Sequence, residues 1–206
     1  MSTKSMTALR GSSAAKVQSE RSYLTDAELR CLFNGAKAGR YGVRDTAMLH
    51  LLVRHGLRAS ELCGLLMDDL DMNRREPTMF VARLKGSDDA RHFLGGPTLR
   101  ALRAWLRLRK KRWGDQSPYV FLSERGEPFG RTGIYYLVVS WAKRGIVPIH
   151  THPHMLRHTC GYSMAEKGTD TRAIQGYLGH KDIRHTVEYT ALSPERFRAI
   201  RTLWGM

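Results

Sequence analysis

Cysteine is scarce in this 206-residue chain: Cys31, Cys63 and Cys160 stand far apart, with no Cys-x-x-Cys pair. An odd number at wide spacing argues against a disulfide framework or a zinc ribbon and suits reduced thiols in a cytosol. Long apolar runs are also missing. No stretch reaches the roughly 18 residues of a membrane-spanning helix, and the N-terminus has no apolar signal region. There is no Gly-x-Ser-x-Gly elbow and no Gly-rich loop closing on Lys-Ser or Lys-Thr, so neither a serine hydrolase nor an ATP-driven enzyme is supported. Acid is in short supply: 19 Asp and Glu stand against 34 Lys and Arg, for a net charge of +15 and a pI near 10.2. Such an excess points to a polyanion, with nucleic acid the default. A generally basic protein, such as a ribosomal one, has the same balance.

What is present is enough for one domain with a real core, since hydrophobic residues make up 42% of the chain. Residues 1–20 are rich in Ser, Ala, Thr and Lys without periodicity and read as a disordered basic arm; residues 21–206 read as the domain. Thr25-Asp26-Ala27-Glu28 is a capping box, opening a helix that carries Leu29, Leu32, Phe33 and Ala36 and ends near Gly39. A second helix runs from about Val43 to His55, with Ala47, Met48, Leu51 and Leu52 on its apolar face. The acids and Asn73 between Asp68 and Glu76 mark turns. Met79 to Leu84 reads as a strand, Lys85 to Asp89 as a turn and Arg91 to Leu94 as a return strand, a small antiparallel sheet.

Pro97 to Trp113 reads as a helix with Leu99, Leu102, Leu106 and Trp113 as its apolar stripe. Arg100, Arg103, Arg107, Arg109, Lys110, Lys111 and Arg112 form a charged surface with no acid among them. Such a surface suits DNA backbone, a membrane surface or calmodulin; in so basic a chain DNA is preferred, with Arg100, Arg103, Arg107, Lys110 and Lys111 as the contacts. Tyr119 to Leu122 is a short extended piece. A helix from about Arg131 to Lys143 turns Ile134, Leu137, Val138 and Trp141 inward. Ser193-Pro194 starts a last helix whose Phe197, Ile200 and Trp204 must dock on this domain or a neighbour's. The fold class is mainly α with a small antiparallel β-sheet.

The chemistry concentrates between His150 and Thr190. His154 and Arg157 lie three apart after Pro153, so imidazole and guanidinium share a helix face. His180 follows Gly179, a helix stop. Tyr189 lies on a short helical piece with Asp182 as its N-cap. Upstream, Arg58 sits in GLRASELCGL with Glu61 three residues on. Taken singly, these read as a solvated helix face, a plain turn, a packed tyrosine and a surface ion pair. His150, His152, His154 and His158 also offer a zinc reading, since His154 and His158 have the i, i+4 spacing of a helical pair. Against it, no Glu follows His154, Arg157 sets a cation beside any metal, and Pro153 separates the flanking histidines.

In combination the residues resemble the tyrosine recombinase (phage integrase) family. GLRASEL is similar to its first arginine box, HPHMLRHTCGY to its His-x-x-Arg box, and YLGHKDIRHTVEYT to its Leu-Gly-His box and nucleophile tyrosine. The resemblance spans about Leu24 to Ala191. It implies the tyrosine recombinase catalytic-domain fold, with catalytic residues Arg58, Lys85, His154, Arg157, His180 and Tyr189, no metal and no cofactor. Tyr189 is then the nucleophile forming a 3′-phosphotyrosyl link, and Arg58 and Arg157 clamp the phosphate. His154 is a base or transition-state donor, His180 a second donor, and Lys85 the acid for the 5′-oxygen. Most members carry a DNA-clamping domain ahead of the catalytic one, so the chain resembles the short, catalytic-domain-only members, above all the invertases of fimbrial phase variation. The implied partner is double-stranded DNA with inverted-repeat sites, bound by a tetramer with accessory DNA-bending proteins in the bacterial cytoplasm, at the nucleoid. The implied activity is site-specific recombination, for inversion or for integration and excision; the alternatives are a nicking-closing enzyme like a type IB topoisomerase and a DNA-binding regulator with weak catalysis. The complete constellation argues against the last.

Overall fold

The computed structural model describes residues 21–73, 75–83 and 89–191. Lys85, the arm over residues 1–20 and the helix expected from Ser193 lie outside the described residues. The elements are α1 (Asp26–Lys37), α2 (Gly42–Arg54), α3 (Ala59–Gly64), β1 (Leu70–Asp71), β2 (Thr78–Val81), β3 (Ala90–Phe93), α4 (Gly96–Trp113), α5 (Arg131–Arg144), α6 (Pro153–Glu166), α7 (Thr171–Leu178) and α8 (Arg184–Thr190). The capping box at Thr25 forms as expected: its hydroxyl accepts from the Glu28 N–H, and Glu28 Oε2 accepts from the Thr25 N–H at 2.8 Å.

Helix α2 is the centre. Leu49, His50 and Val53 are buried along with Ala47, Met48, Leu51 and Leu52, so the helix is covered nearly all round by α1, α4 and α6. A helix enclosed in this way belongs in a core. Asp45, at its first turn, is buried too. Its carboxylate accepts from Arg44 Nε at 2.9 Å and from Trp141 Nε1 at 2.9 Å, which ties α2 to α5. Removing that carboxylate would strand the buried indole N–H at a cost of about 1–3 kcal/mol.

The sheet has three strands in the order β1-β2-β3, all antiparallel, with Met79 opposite His92 and Val81 opposite Ala90. The acids after Met67 mark turns in the sequence; Leu70 and Asp71 nonetheless pair with Met79 and Thr78. Tyr119 to Leu122 makes isolated bridges to Leu66 and Pro128 rather than a strand. Arg109, which the sequence groups with the basic surface of α4, is instead buried: its guanidinium donates to the carbonyls of Tyr119, Gly114 and Ser117 and fixes the loop after the helix. Arg100, Arg103, Arg107, Lys110 and Lys111 are exposed.

The large core draws on α1 to α6 and the sheet. A second, small cluster joins Cys160 and Ala165 of α6, Ile174 and Leu178 of α7 and Tyr189 of α8. Among the described residues no helix is long and apolar enough to cross a membrane.

Candidate active site

Arg58 is the N-cap of α3, and Glu61 reaches back to it. Glu61 Oε2 accepts from the Arg58 backbone N–H at 2.8 Å, and Oε1 accepts from Arg58 Nη1 at 2.6 Å. This is no surface pair, because Glu61 is buried. Burial alone would raise its carboxyl, but Arg83 first and then Arg58 hold it below the ordinary carboxylate range.

None of the sequence motifs includes Arg83. It follows β2, and its side chain is 0% exposed. Nη1 donates to Glu61 Oε2 at 2.7 Å and Nη2 to the Tyr177 carbonyl at 2.6 Å. A signal for it does exist. Met79 and Val81 are buried, and strand residues two apart share a face, so Arg83 falls on the inward side.

Arg157 projects from α6 and is 1% exposed. Nη1 donates to the Gly56 carbonyl at 2.6 Å, and Nη2 donates to the Leu178 carbonyl. Arg58 Nη2 donates to the Gly179 carbonyl at 3.1 Å. Three consecutive carbonyls at the C-terminus of α7, those of Tyr177, Leu178 and Gly179, thus accept from Arg83, Arg157 and Arg58 in turn. This is the negative end of a helix, where cations are favoured. Burial first, and then the charge of Arg58, pull Arg157 down to about 10, still protonated at neutral pH.

Gly179 ends α7 in the left-handed region (φ 65°), and a Cβ there would meet Arg83 Nε at 2.8 Å. The turn therefore needs glycine twice over. It delivers His180, whose Nδ1 lies 2.9 Å from Thr186 Oγ1 at the start of α8. Burial, then Arg157 and Arg58, depress His180 to about 3. Loss of water in the cleft, then His158 and Arg157, bring His154 to about 4. Both imidazoles are neutral at pH 7.

Tyr189 is buried on α8, 3% exposed. Its ring lies against Gly161 of α6, where a Cβ would come within 2.5 Å of the ring carbons. A larger residue there would displace the phenol. The ring centroids of His158 and His180 are 5.6 and 5.9 Å away. Burial raises the phenol to about 12 despite the opposing pull of Arg157. His158, which in the sequence figures only in the zinc pairing, stands between His154 (4.6 Å, edge to face) and Tyr189. Asp182 accepts from the Arg184 N–H at 2.9 Å, although the N-cap of α8 is Ile183. Among the described residues no three His, Cys, Asp or Glu side chains are grouped to hold a metal ion.

Arg58, His154 and Arg157 line one open cleft of about 490 Å³, together with Arg131, Tyr135, His150 and His152. The phage integrase family profile matches residues 22–196, from before α1 to beyond Tyr189. The chain belongs to the phage integrase family. It is similar to the type 1 fimbriae regulatory proteins FimE and FimB of Escherichia coli K12. Identity to FimE is 40% over 183 residues, covering 88% of this chain and 91% of FimE; identity to FimB is 38% over 181 residues, covering 88% and 90%. Among solved structures it is similar to the XerA recombinase, with a TM-score of 0.74 and 30% identity over 88% of this chain and 64% of XerA. The family fold of helices around a small three-stranded sheet is thus the one described above, and the chain is a tyrosine recombinase.

His92, beside Arg83, and His55, its ring 5.5 Å from that of His92, are buried, as is His50 on α2. Burial, then neighbouring charge, brings His55 to about 4 and His92 to about 3, and His50 sits at about 4 for the same reasons. A histidine kept neutral in the fold but free to charge when unfolded binds fewer protons in the native state. Stability is therefore whole above the unfolded value near 6.5 and falls as pH drops toward the folded values. Between pH 7 and 5 each such group loses about 2 kcal/mol. Urea melts at pH 7 and 5 should show at least that loss, with His92→Phe weakening the pH dependence. A midpoint flat across this window would mean that these imidazoles charge within the fold.

Proposed function

We propose that this tyrosine recombinase cleaves duplex DNA at inverted-repeat sites through a 3′-phosphotyrosyl intermediate and rejoins the ends to invert the segment between them. The observation that carries the reading is the convergence of Arg58, Arg157 and His154 on one cleft, with Arg58 held on the Gly179 carbonyl next to His180 and the His180 ring 5.9 Å from that of Tyr189. Phosphoryl transfer needs charge at the non-bridging oxygens, a nucleophile and a proton for the leaving oxygen. In this reading Arg58 and Arg157 supply the charge through forked N–H groups. Tyr189 attacks phosphorus, and the P–O5′ bond breaks as the P–O(Tyr) bond forms. His154 is proposed as the base for the phenol or as a transition-state donor, with His158 standing between its ring and that of Tyr189. His180 donates to a non-bridging oxygen, and Lys85 protonates the departing 5′-oxygen. The phosphodiester energy is kept in the phosphotyrosyl bond, so neither nucleotide nor metal is required.

Inversion is favoured by the relatives that this chain matches over nine-tenths of their length, both named as regulators of type 1 fimbriae. Exchange between two sites calls for a tetramer on DNA, with DNA-bending proteins to bring the sites together. The deciding experiment uses a nicked duplex made from short inverted repeats found beside the gene. A covalent protein–DNA band on a denaturing gel, formed in excess EDTA, is the expected result. A band that EDTA abolishes and zinc restores would return the histidine cluster to metal chemistry.

The exposed face of α4 is proposed to follow the DNA backbone. Binding should then weaken steeply with salt, by a log–log slope of about −0.9 for each phosphate neutralised. Replacing Arg103 and Arg107 together by glutamine should flatten that slope by about 0.9 for each phosphate that either arginine neutralises. A slope left unchanged in a fluorescence-anisotropy titration would turn this face away from DNA.

A further inference from the structure

We propose that Arg83 is a positioning residue for cleavage: by holding Glu61 and the Tyr177 carbonyl at once, it fixes the carboxylate that aims Arg58 and the helix end that aims Arg157 and His180. This rests on the recombinase reading above. Arg83 is buried like Arg157, with its side chain 0% exposed, but unlike Arg157 it does not line the cleft, so it is not placed to meet DNA itself. Nor is stability a sufficient reason for it. A buried ion pair gains little over a well-packed apolar pair, and Arg83 Nε is left without a hydrogen-bond partner.

What Arg83 does make is a set of hydrogen bonds running to the reactive groups. Glu61 has two carboxylate oxygens. Oε1 serves Arg58 Nη1, while Oε2 serves both the Arg58 backbone N–H and Arg83 Nη1 and lies 4.0 Å from Arg157 Nη1. With Arg83 removed, Oε2 would lose its strongest partner and turn toward Arg157, drawing that guanidinium off the phosphate. The second hydrogen bond acts on the backbone. Arg83 Nη2 grips the Tyr177 carbonyl, and the next two carbonyls are those that orient Arg157 and Arg58. His92 Nε2 lies 3.1 Å from the same Tyr177 oxygen, so the helix end is held from the sheet side by two groups. The fit of Gly179 against Arg83 Nε places the arginine directly under the turn that carries His180. Three guanidinium groups sharing one carboxylate also leave the clamp with a positive excess. That suits a phosphodiester whose charge grows in the transition state.

The test separates rate from folding. Arg83→Met keeps volume and removes the charge; Arg83→Lys keeps the charge but, as a point donor, cannot fork to both partners. Single-turnover cleavage of the nicked inverted-repeat duplex gives an amplitude, which counts active molecules, and a rate constant, which reports their geometry. Arg83→Met should bind the intact duplex within about threefold of the parent and reach the parent amplitude, but cleave about 10²-fold more slowly, the scale of an ångström-level misplacement. Arg83→Lys should recover about tenfold of that loss. Because the two residues act as one unit, Arg83→Met combined with Glu61→Gln should be no slower than the slower single variant.

A parent-like rate constant in Arg83→Met overturns the proposal, as does a loss confined to amplitude, which is the mark of a merely structural residue. If Arg83→Met does not fold, Arg83→Lys decides: a slower rate at full amplitude supports the role, and a parent rate overturns it. A parent chain that forms no adduct would overturn the recombinase reading itself, and this inference with it.

Discussion

Tyr189→Phe binds the inverted-repeat duplex with parent affinity and forms no covalent adduct. The substitution removes one oxygen atom from a ring seated against Gly161, His158 and Tyr162. Nothing in that packing depends on the hydroxyl, so stability should change by no more than about 1 kcal/mol. Chemistry should fall by on the order of 10⁶, as when a nucleophile is deleted from a covalent mechanism. A suicide duplex resolved on a denaturing gel reads the result. An adduct in the Phe variant would move the nucleophile elsewhere, and the neighbouring tyrosines are poorly placed to take over. The Tyr177 hydroxyl is held 2.9 Å from His55 Nδ1 and 3.3 Å from the Arg54 carbonyl, and burial pushes that phenol well above its ordinary range. Tyr162 is turned toward Tyr23, with ring centroids 4.2 Å apart, and burial raises it as well.

The residues of the candidate site's motifs are legible in the sequence because each lies beside a local structural signal. Arg58 and Glu61 are three apart at a helix start, His154 and Arg157 are three apart on one helix, and Gly179 marks the stop before His180. The layer beneath them is not legible, for one reason that recurs. A buried arginine looks like a surface arginine until its carbonyl partners are known. Arg109 lies four residues after Trp105 and seven after Leu102, on the buried stripe of α4, but its charge argues for solvent. Arg83 lies in step with Met79 and Val81, and its charge argues the same way. The Arg109 fork is satisfied by carbonyls of the turning chain after its helix, and the Arg83 fork by the Glu61 carboxylate and the carbonyl of Tyr177, 94 residues away. Periodicity locates these positions, but sequence spacing says nothing of the carbonyls that make them tolerable. Strand β1 is hidden for another reason: a two-residue pairing among acids leaves no pattern to read.

The general acid is the second large effect. Lys85 is assigned to the leaving 5′-oxygen by resemblance, and Lys85→Ala should cleave slower by about 10² to 10⁴. That loss alone would not separate an acid from a phosphate ligand. Sulfur at the bridging 5′ position does. A thiol has a pKa of about 8.5 and leaves as thiolate without a proton. On that substrate Lys85→Ala should cleave almost as fast as the parent chain, whereas Arg157→Lys should stay slow on both. The reason for the contrast is geometric. Arg157 spans the Gly56 and Leu178 carbonyls with both Nη atoms and is pinned in the wall of the cleft proposed to take the phosphate. A lysine keeps the charge but loses the fork, and its service is to the non-bridging oxygens, which sulfur at the bridge leaves untouched. If the sulfur substrate fails to rescue Lys85→Ala, the lysine binds or positions the phosphate. The acid must then be sought among the other groups at the site, with His154, which lines the same cleft, the first candidate.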